Sequence, residues 1–348
     1  MRIGLVGVGR IGAQHAQTLA SLREVDQLII TDTDQARARA VADRVGATAA
    51  PTVADLAADL AAVSTAGVVI AAPTPSHADL IGQFAAAGLP VFCEKPVAPD
   101  VPGTRKALAL VGQADVPLQI GFQRRFDAGF SAVRGAVRAQ RLGWLHTLRA
   151  CTSDMTPPPA EYIAASGGIF RDCAVHDFDI IRWVTGREVT QVYATGANRG
   201  AEQFALYGDV DTGVAVLTLD DGTLATCSAT RYNGAGYDVR LEACGSLGTL
   251  VAGLDEWAPL VSAEVEAEPG GIADNPAERS PRGGRTYTDF MERFGPAYAA
   301  ELAAFCDVVA GRTPSPCTGE DALAALLIAE AAELSRQEGR PTSIEEVS

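Results

Sequence analysis

The feature that most constrains this chain is Gly7-Val-Gly9-Arg10-Ile11-Gly12, three glycines at fixed spacing that follow a short apolar run and open an Ala-rich stretch. Strand, tight turn and helix in that order begin a βαβ unit. The rhythm continues, with RIGLVGV, QLIITD, GVVIAAP, PVFCEK and PLQIGF alternating with amphipathic segments as far as Phe122. Such alternation predicts a parallel sheet. Runs such as Gly67 to Ala72 are apolar on both pleat faces and read as strands covered by helices on either side.

In a chain with 35 glycines the glycine pattern alone carries little weight. Its place between strand and helix, with an acidic residue following at the end of the second strand, makes it a dinucleotide fingerprint. The first glycine permits the tight turn, the second lets a pyrophosphate approach the backbone, and the third allows close helix–strand packing. Helix-start amides around Arg10 and Ile11 then hold the anion. Asp32, twenty positions after Gly12, is placed to accept the adenosine ribose hydroxyls and to repel a 2′-phosphate, which favours NAD over NADP. The competing reading makes Asp32 a turn residue or cap, and Arg37, one turn on, could still face a phosphate. Pro73, Thr74 and His77 in APTPSH sit at the carboxyl edge of the sheet and are expected to contact the nicotinamide half, whereas Ser76 could simply cap a helix.

After Phe122 the pattern changes. A basic helical stretch reaches about Arg141, a proline-rich loop covers Pro157 to Pro159, and another helix is predicted from about Asp172. Val189 to Ala197, Gly213 to Leu219, Thr223 to Arg231, Val239 to Ala243 and Thr249 to Ala252 then alternate between Gly-containing turns, which predicts a largely antiparallel sheet. Glu264 to Arg285 reads as a mobile loop, and helices near Ala297 to Ala310 and Glu320 to Gln337 close the chain. The expected class is therefore α/β followed by α+β. Residues 1–122 form a Rossmann domain and residues 123–348 a substrate-binding and oligomerisation domain, the last helices packing back toward the junction.

At 348 residues, two domains are the natural division. With 43 acidic against 28 basic residues, the net charge of −15 disfavours nucleic acid and anionic lipid as partners. The opening MRIGLVGVGR lacks the features of a secretory signal, and no apolar run approaches the roughly 20 residues that span a bilayer. Seven scattered cysteines without a CxxC pair fit a reducing cytoplasm, and four histidines without HExxH spacing give no metal site.

Two clusters carry candidate chemistry. Glu94-Lys95-Pro96 ends the fifth strand at the carboxyl edge and aims a lysine toward the cofactor; taken alone, a lysine there is usually a surface lysine. In SGGIFRDCAVHDFD, Asp172 and His176 form an i,i+4 pair on one helix face if the stretch is helical, with Asp179 a turn further. A carboxylate beside an imidazole suits a general base for an alcohol proton. An isolated DxxxH is more often a helix cap followed by a structural histidine.

Taken together, GVGRIG, Asp32, EKP, GFQRRFD (Gly121 to Asp127) and Pro157 to Asp179 resemble the Gfo/Idh/MocA oxidoreductases, and among them the inositol dehydrogenases. The resemblance implies that Lys95, Asp172 and His176 are the catalytic set, with a cis bond before Pro96. It implies Gln123 and Arg124 as contacts of substrate hydroxyls, with Asp154 and Tyr232 as further pocket candidates. His176 would remove the hydroxyl proton, Asp172 would orient the imidazole, and Lys95 would stabilise the developing alkoxide. The implied substrate is a cyclic polyol, the alternative an aldose or pyranose oxidised by the same groups. A sensor that has lost catalysis is disfavoured by the presence of all three residues. Gln123 and Asp154 leave the inositol isomer open. The resemblance also implies a homo-oligomer, often a tetramer formed by sheets pairing between subunits.

Overall fold

The computed structural model describes residues 1–260 and 285–348. Glu264 to Arg285, read above as a mobile loop, lies outside the described residues apart from Arg285. The chain divides into two compact units, Met1–Phe126 with Pro296–Leu326, and Asp127–Gly295 with Leu327–Ser348. Neither unit is one continuous stretch. The first takes in the Gln123–Phe126 turn, placed in the second domain by sequence, together with a late segment, 296–326.

The first unit holds six parallel strands: β1 (Arg2–Val6), β2 (Gln27–Thr31), β3 (Thr48–Ala49), β4 (Ala66–Ile70), β5 (Val91–Glu94) and β6 (Leu118–Gly121). Their order is β3-β2-β1-β4-β5-β6, so chain direction across the sheet reverses between β1 and β4. All five residues of β4 are buried, as its apolar run requires. Helix α1 (Arg10–Ser21) lays Ala16 and Leu19 on a core containing Ile3, Leu5, Ile30, Val69 and Phe92. Each of the larger of these side chains contributes about 1.5–3 kcal/mol on burial. Helix α2 (Gln35–Val45) starts where Asp34 accepts hydrogen bonds from the amides of Ala36 and Arg37. It stops at Gly46, whose φ of +72° is left-handed. Helix α3 (Val53–Ala61) is capped by Thr52, and helix α5 (Val101–Ala114), which follows α4 (His77–Ala86), by Asp100.

The second unit is built on a seven-stranded sheet ordered β12-β11-β7-β10-β9-β8-β13. These strands are β7 (Leu145–Ser153), β8 (Val189–Ala197), β9 (Thr212–Leu219), β10 (Leu224–Thr230), β11 (Asp238–Gly245), β12 (Gly248–Ala252) and β13 (Thr342–Ser343). All pairs are antiparallel except β7 with β10. The sequence predicts five of them within a residue or two but no strand at 145–153, which is a central one. Its buried positions, Leu148, Ala150 and Thr152, include a single large apolar residue, so alternation is faint. Its partners lie more than seventy residues ahead in the chain.

Helix α6 (Ala128–Arg138) precedes β7, and a short α7 (Ala160–Ser166) follows the proline loop. The helix expected near Asp172 starts earlier: a wide π turn over Phe170–Ala174 leads directly into α8 (Val175–Thr185). A four-residue α9 (Gln203–Leu206) follows β8. The closing helices are α10 (Phe290–Val309) and α11 (Gly319–Glu338).

Candidate active site

The first unit carries the fingerprint. Gly7 has φ +89°, and a Cβ there would lie 2.7 Å from the backbone of Ala72 at the end of β4. A Cβ on Gly12 would lie 2.1 Å from the Gly7 carbonyl, so only glycine lets helix and turn approach this closely. Gly9 differs: a Cβ there would meet nothing within 4 Å. The space in front of Gly9 is open, and no side chain caps the start of α1. The turn thus offers unsheltered amides at a helix N-terminus where a pyrophosphate would sit, and the residues fit a dinucleotide.

Asp32 stands at the end of β2 with both carboxylate oxygens engaged. Its Oδ2 accepts from the Val8 amide at 2.8 Å, and its Oδ1 from the Asp34 amide at 2.8 Å and from Arg37 Nη2 at 2.7 Å. Burial works against ionisation, but Arg37 and the two amides outweigh it and hold the carboxyl below its usual range. Arg37 is therefore paired with Asp32, and Oδ2 keeps a lone pair for a ribose hydroxyl.

At the exit of β4, Thr74–Ser76 forms a 3₁₀ turn. Ser76 does not cap α4 with its side chain; its hydroxyl donates to the Pro73 carbonyl at 2.7 Å. His77 is 1% exposed, with its two ring nitrogens each 2.7 Å from a carbonyl oxygen, those of Pro96 and Ala72. It ties the APTP turn to the EKP turn and has no ring nitrogen left over for a cofactor, in contrast to the expectation from sequence. Lys95 follows Glu94 at the end of β5, and the Lys95–Pro96 bond is cis. The Glu94 carboxylate is met by His15 Nε2 at 2.6 Å, so a fully buried histidine of α1 links the fingerprint helix to the EKP turn. Sequence reasoning passes over His15 because nothing local marks its partner, 79 residues away. Gln123 and Arg124 also belong to this unit, both buried in a 3₁₀ turn.

The second unit joins Asp172 and Asp154 through Arg231 and brings Tyr162 onto Asp172, with His176 following Asp172 along the same helical segment; Arg231 and Tyr162 are two residues the sequence did not flag. Asp172 sits in the π turn, a distortion that recurs at functional sites, and His176 in the first turn of α8. Asp172 Oδ1 accepts from the Tyr162 hydroxyl at 2.8 Å and Oδ2 from Arg231 Nη2 at 2.8 Å. Arg231 Nη1 donates to Asp154 Oδ2 at 2.9 Å. Burial alone would lower the affinity of Arg231 for its proton, but Cys173, Asp172 and Asp154 reverse this and hold it charged. Tyr232 instead turns its ring onto Gly200 and Phe204, and its hydroxyl accepts from the Ala201 amide at 3.2 Å. Asp179 is buried within α8. Among the described residues there is no cluster of His, Cys, Asp and Glu able to hold a metal, and no helix long and apolar enough to cross a membrane.

A profile described as the oxidoreductase family with NAD-binding Rossmann fold matches residues 1–122, and one for the GFO/IDH/MocA C-terminal domain matches residues 130–251. The chain belongs to the Gfo/Idh/MocA oxidoreductases. This Gfo/Idh/MocA chain is 38% identical to the myo-inositol dehydrogenase Hyg17 of Streptomyces leeuwenhoekii, covering 97% of the chain and 98% of that protein. It is 37% identical to an inositol 2-dehydrogenase of Rhizobium meliloti, covering 99% of each. Among solved structures, scyllo-inositol dehydrogenase from Lactobacillus casei, with bound NAD(H) and scyllo-inositol, superposes with a TM-score of 0.83 at 28% identity, over 99% of each chain. The Gfo/Idh/MocA chain is thus an NAD-dependent oxidoreductase with an NAD-binding Rossmann domain.

Proposed function

We propose that this protein oxidises a secondary hydroxyl of a cyclic polyol, an inositol, with NAD. The observation that carries the reading is the Asp172/His176 pair on one helical segment, with Asp172 fixed by Tyr162 and Arg231, in a chain whose full-length relatives include inositol dehydrogenases. The Gly7–Gly12 turn and the helix start at Arg10 and Ile11 would hold the pyrophosphate, and Asp32 the adenosine ribose. Pro73, Thr74, Glu94 and Lys95 would line the nicotinamide side. The nicotinamide, when bound, supplies the hydride chemistry. His176 takes the proton of the reacting hydroxyl, and Asp172, itself immobilised, orients the imidazole and stabilises its protonated form. The Lys95 ammonium stabilises negative charge developing on the substrate oxygen. Gln123, Arg124, Asp154 and Tyr232 are assigned to the remaining hydroxyls. Pairing of Arg37 with Asp32 favours NAD over NADP.

The test is NADH formation from myo-, scyllo- and chiro-inositol, glucose and xylose, with NAD or NADP, beside the His176→Ala variant. Turnover of an inositol with NAD, lost in the variant, is the expected result. Activity confined to aldoses would move the protein to pyranose oxidation, and NAD binding without turnover of any polyol would overturn the proposal.

We further propose that the protein assembles through the open face of the second unit's sheet, where Tyr193, Val214, Val216 and Leu224 are exposed on β8, β9 and β10. These large apolar side chains, interleaved with Thr195, Thr218, Thr226 and Ser228 on the same face, would be covered by a second copy of the same sheet. Sedimentation velocity should give an oligomer, a tetramer by family resemblance. Val214→Asp with Val216→Asp should shift it toward smaller species, and a wild-type monomer would refute the assignment.

A further inference from the structure

β7 and β10 are the one parallel pair among the described strands of the second sheet, and their register places Ser153 opposite Thr230. The next residue of each strand, Asp154 and Arg231, therefore emerges side by side at the carboxyl end of the pair. The π turn sets Asp172 against the other terminal nitrogen of the same guanidinium. Arg231 has a 3% exposed side chain, and its two terminal nitrogens go to different carboxylates, at 2.9 Å and 2.8 Å. A planar guanidinium with both nitrogens committed fixes the two acids relative to one another, and burial leaves the contacts little screened by water.

The remaining atoms divide the labour. Asp172 has its second oxygen on the Tyr162 hydroxyl, whereas Asp154 Oδ1 has no partner among the described residues while its Oδ2 meets Arg231 and, at 3.6 Å, the Cys173 thiol. Asp209 also interacts electrostatically with Arg231, but its Oδ1 is taken by the Ile169 amide and its unpartnered Oδ2 is fully buried, whereas the Asp154 side chain is 24% exposed; Arg171 beside Asp172 is paired with Glu330. Asp154 is thus the member of the cluster able to accept a substrate hydroxyl, and Asp172 the member that serves the base.

We propose that Arg231 is a positioning residue that joins hydroxyl recognition at Asp154 to proton transfer at Asp172/His176, so that the two carboxylates act as one unit. This rests on the polyol reading above. In Arg231→Met, kcat should fall and KM for the polyol should rise, together lowering kcat/KM by about tenfold or more, while NAD affinity, set by the first unit, is unchanged. Arg231→Lys keeps the charge but offers one compact ammonium in place of a fork, and should recover part of the loss without restoring the coupling. The coupling is read by adding Asp154→Asn to each background: it should cost about tenfold in kcat/KM with Arg231 present and little in Arg231→Met.

A second arm needs no turnover. The Asp172 carboxyl ¹³C resonance, assigned with Asp172→Asn, should shift on Asp154→Asn when Arg231 is present and stay still when it is methionine. Equal costs of Asp154→Asn in both backgrounds, or an Asp172 resonance indifferent to Asp154 with Arg231 in place, would overturn the inference. If Arg231→Met does not fold, Arg231→Lys serves as the second background. A wild-type protein inert toward every polyol would count against the function, while the resonance arm still decides the role of Arg231.

Discussion

Arg37 Nη2 donates to Asp32 Oδ1 across 2.7 Å, so the arginine that could have received a 2′-phosphate is instead held by the carboxylate that would repel one. Under the proposed function, the pair would select the unphosphorylated adenosine ribose of NAD. Asp32→Ser should release Arg37 and remove the repulsion at once. Loss of a charge-assisted contact of about 1.5–3 kcal/mol corresponds to a drop of about tenfold or more in kcat/KM for NAD, with a gain of similar size for NADP. Steady-state kinetics with both cofactors measures it. Unchanged discrimination would mean that Asp32 serves only the Val8 and Asp34 turn.

Gly9 and Gly12 should respond oppositely to one added methyl. Gly9→Ala places a Cβ in open space, so the melting temperature should stay close to wild type while NAD affinity falls, because the methyl occupies the pyrophosphate approach. Gly12→Ala drives a Cβ to 2.1 Å from the Gly7 carbonyl, so the turn must shift and stability falls with affinity. Thermal melts beside NAD titrations separate the two.

His176→Ala should lower kcat by about 10²–10⁴-fold, the usual contribution of a general base, with the NAD dissociation constant unchanged. Single-turnover NADH formation at saturating cofactor is the measurement. A variant that loses NAD binding as well would place His176 in cofactor binding.

Asp321 reports on the first unit. It accepts from both terminal nitrogens of the buried Arg125, at 3.2 Å and 3.1 Å, and from Thr318. Burial opposes ionisation, but Arg125 and Thr318 outweigh it and hold the carboxyl below its ordinary value of 3.8. A folded value depressed in this way adds stability that is present above 3.8 and lost as pH falls through the lower folded value. Asp321→Asn should therefore be destabilised by about 1–3 kcal/mol at neutral pH, and its deficit should narrow as the pH drops below that range. Melting temperatures of both proteins across pH test this; a deficit that does not vary with pH would assign the loss to packing.

What the sequence determined by itself is what short-range pattern encodes. The parallel strands around GVGRIG, the acidic residue ending β2, the EKP turn and most antiparallel strands were readable because apolar periodicity and glycine turns act over a few residues. The roles of Gly7 and Gly12 could be assigned from spacing, since backbone geometry leaves few alternatives at a strand–turn–helix junction.

Only the tertiary structure decided which buried charges meet. β7 escaped notice because one large inward residue, Leu148, does not make a legible alternation, although its neighbours in the sheet fix it centrally. Arg231 follows an unremarkable strand, and its partners Asp154 and Asp172 are 77 and 59 residues away, so its place is set by sheet register and a π turn and not by any local pattern. His15 looks like an ordinary helix residue until the fold closes it on Glu94, and His77, read from sequence as a contact of the nicotinamide half, has its ring nitrogens on two carbonyls. The physical reason is common to all: a buried polar group must find a partner, and the partner is chosen by topology, which brings distant segments together.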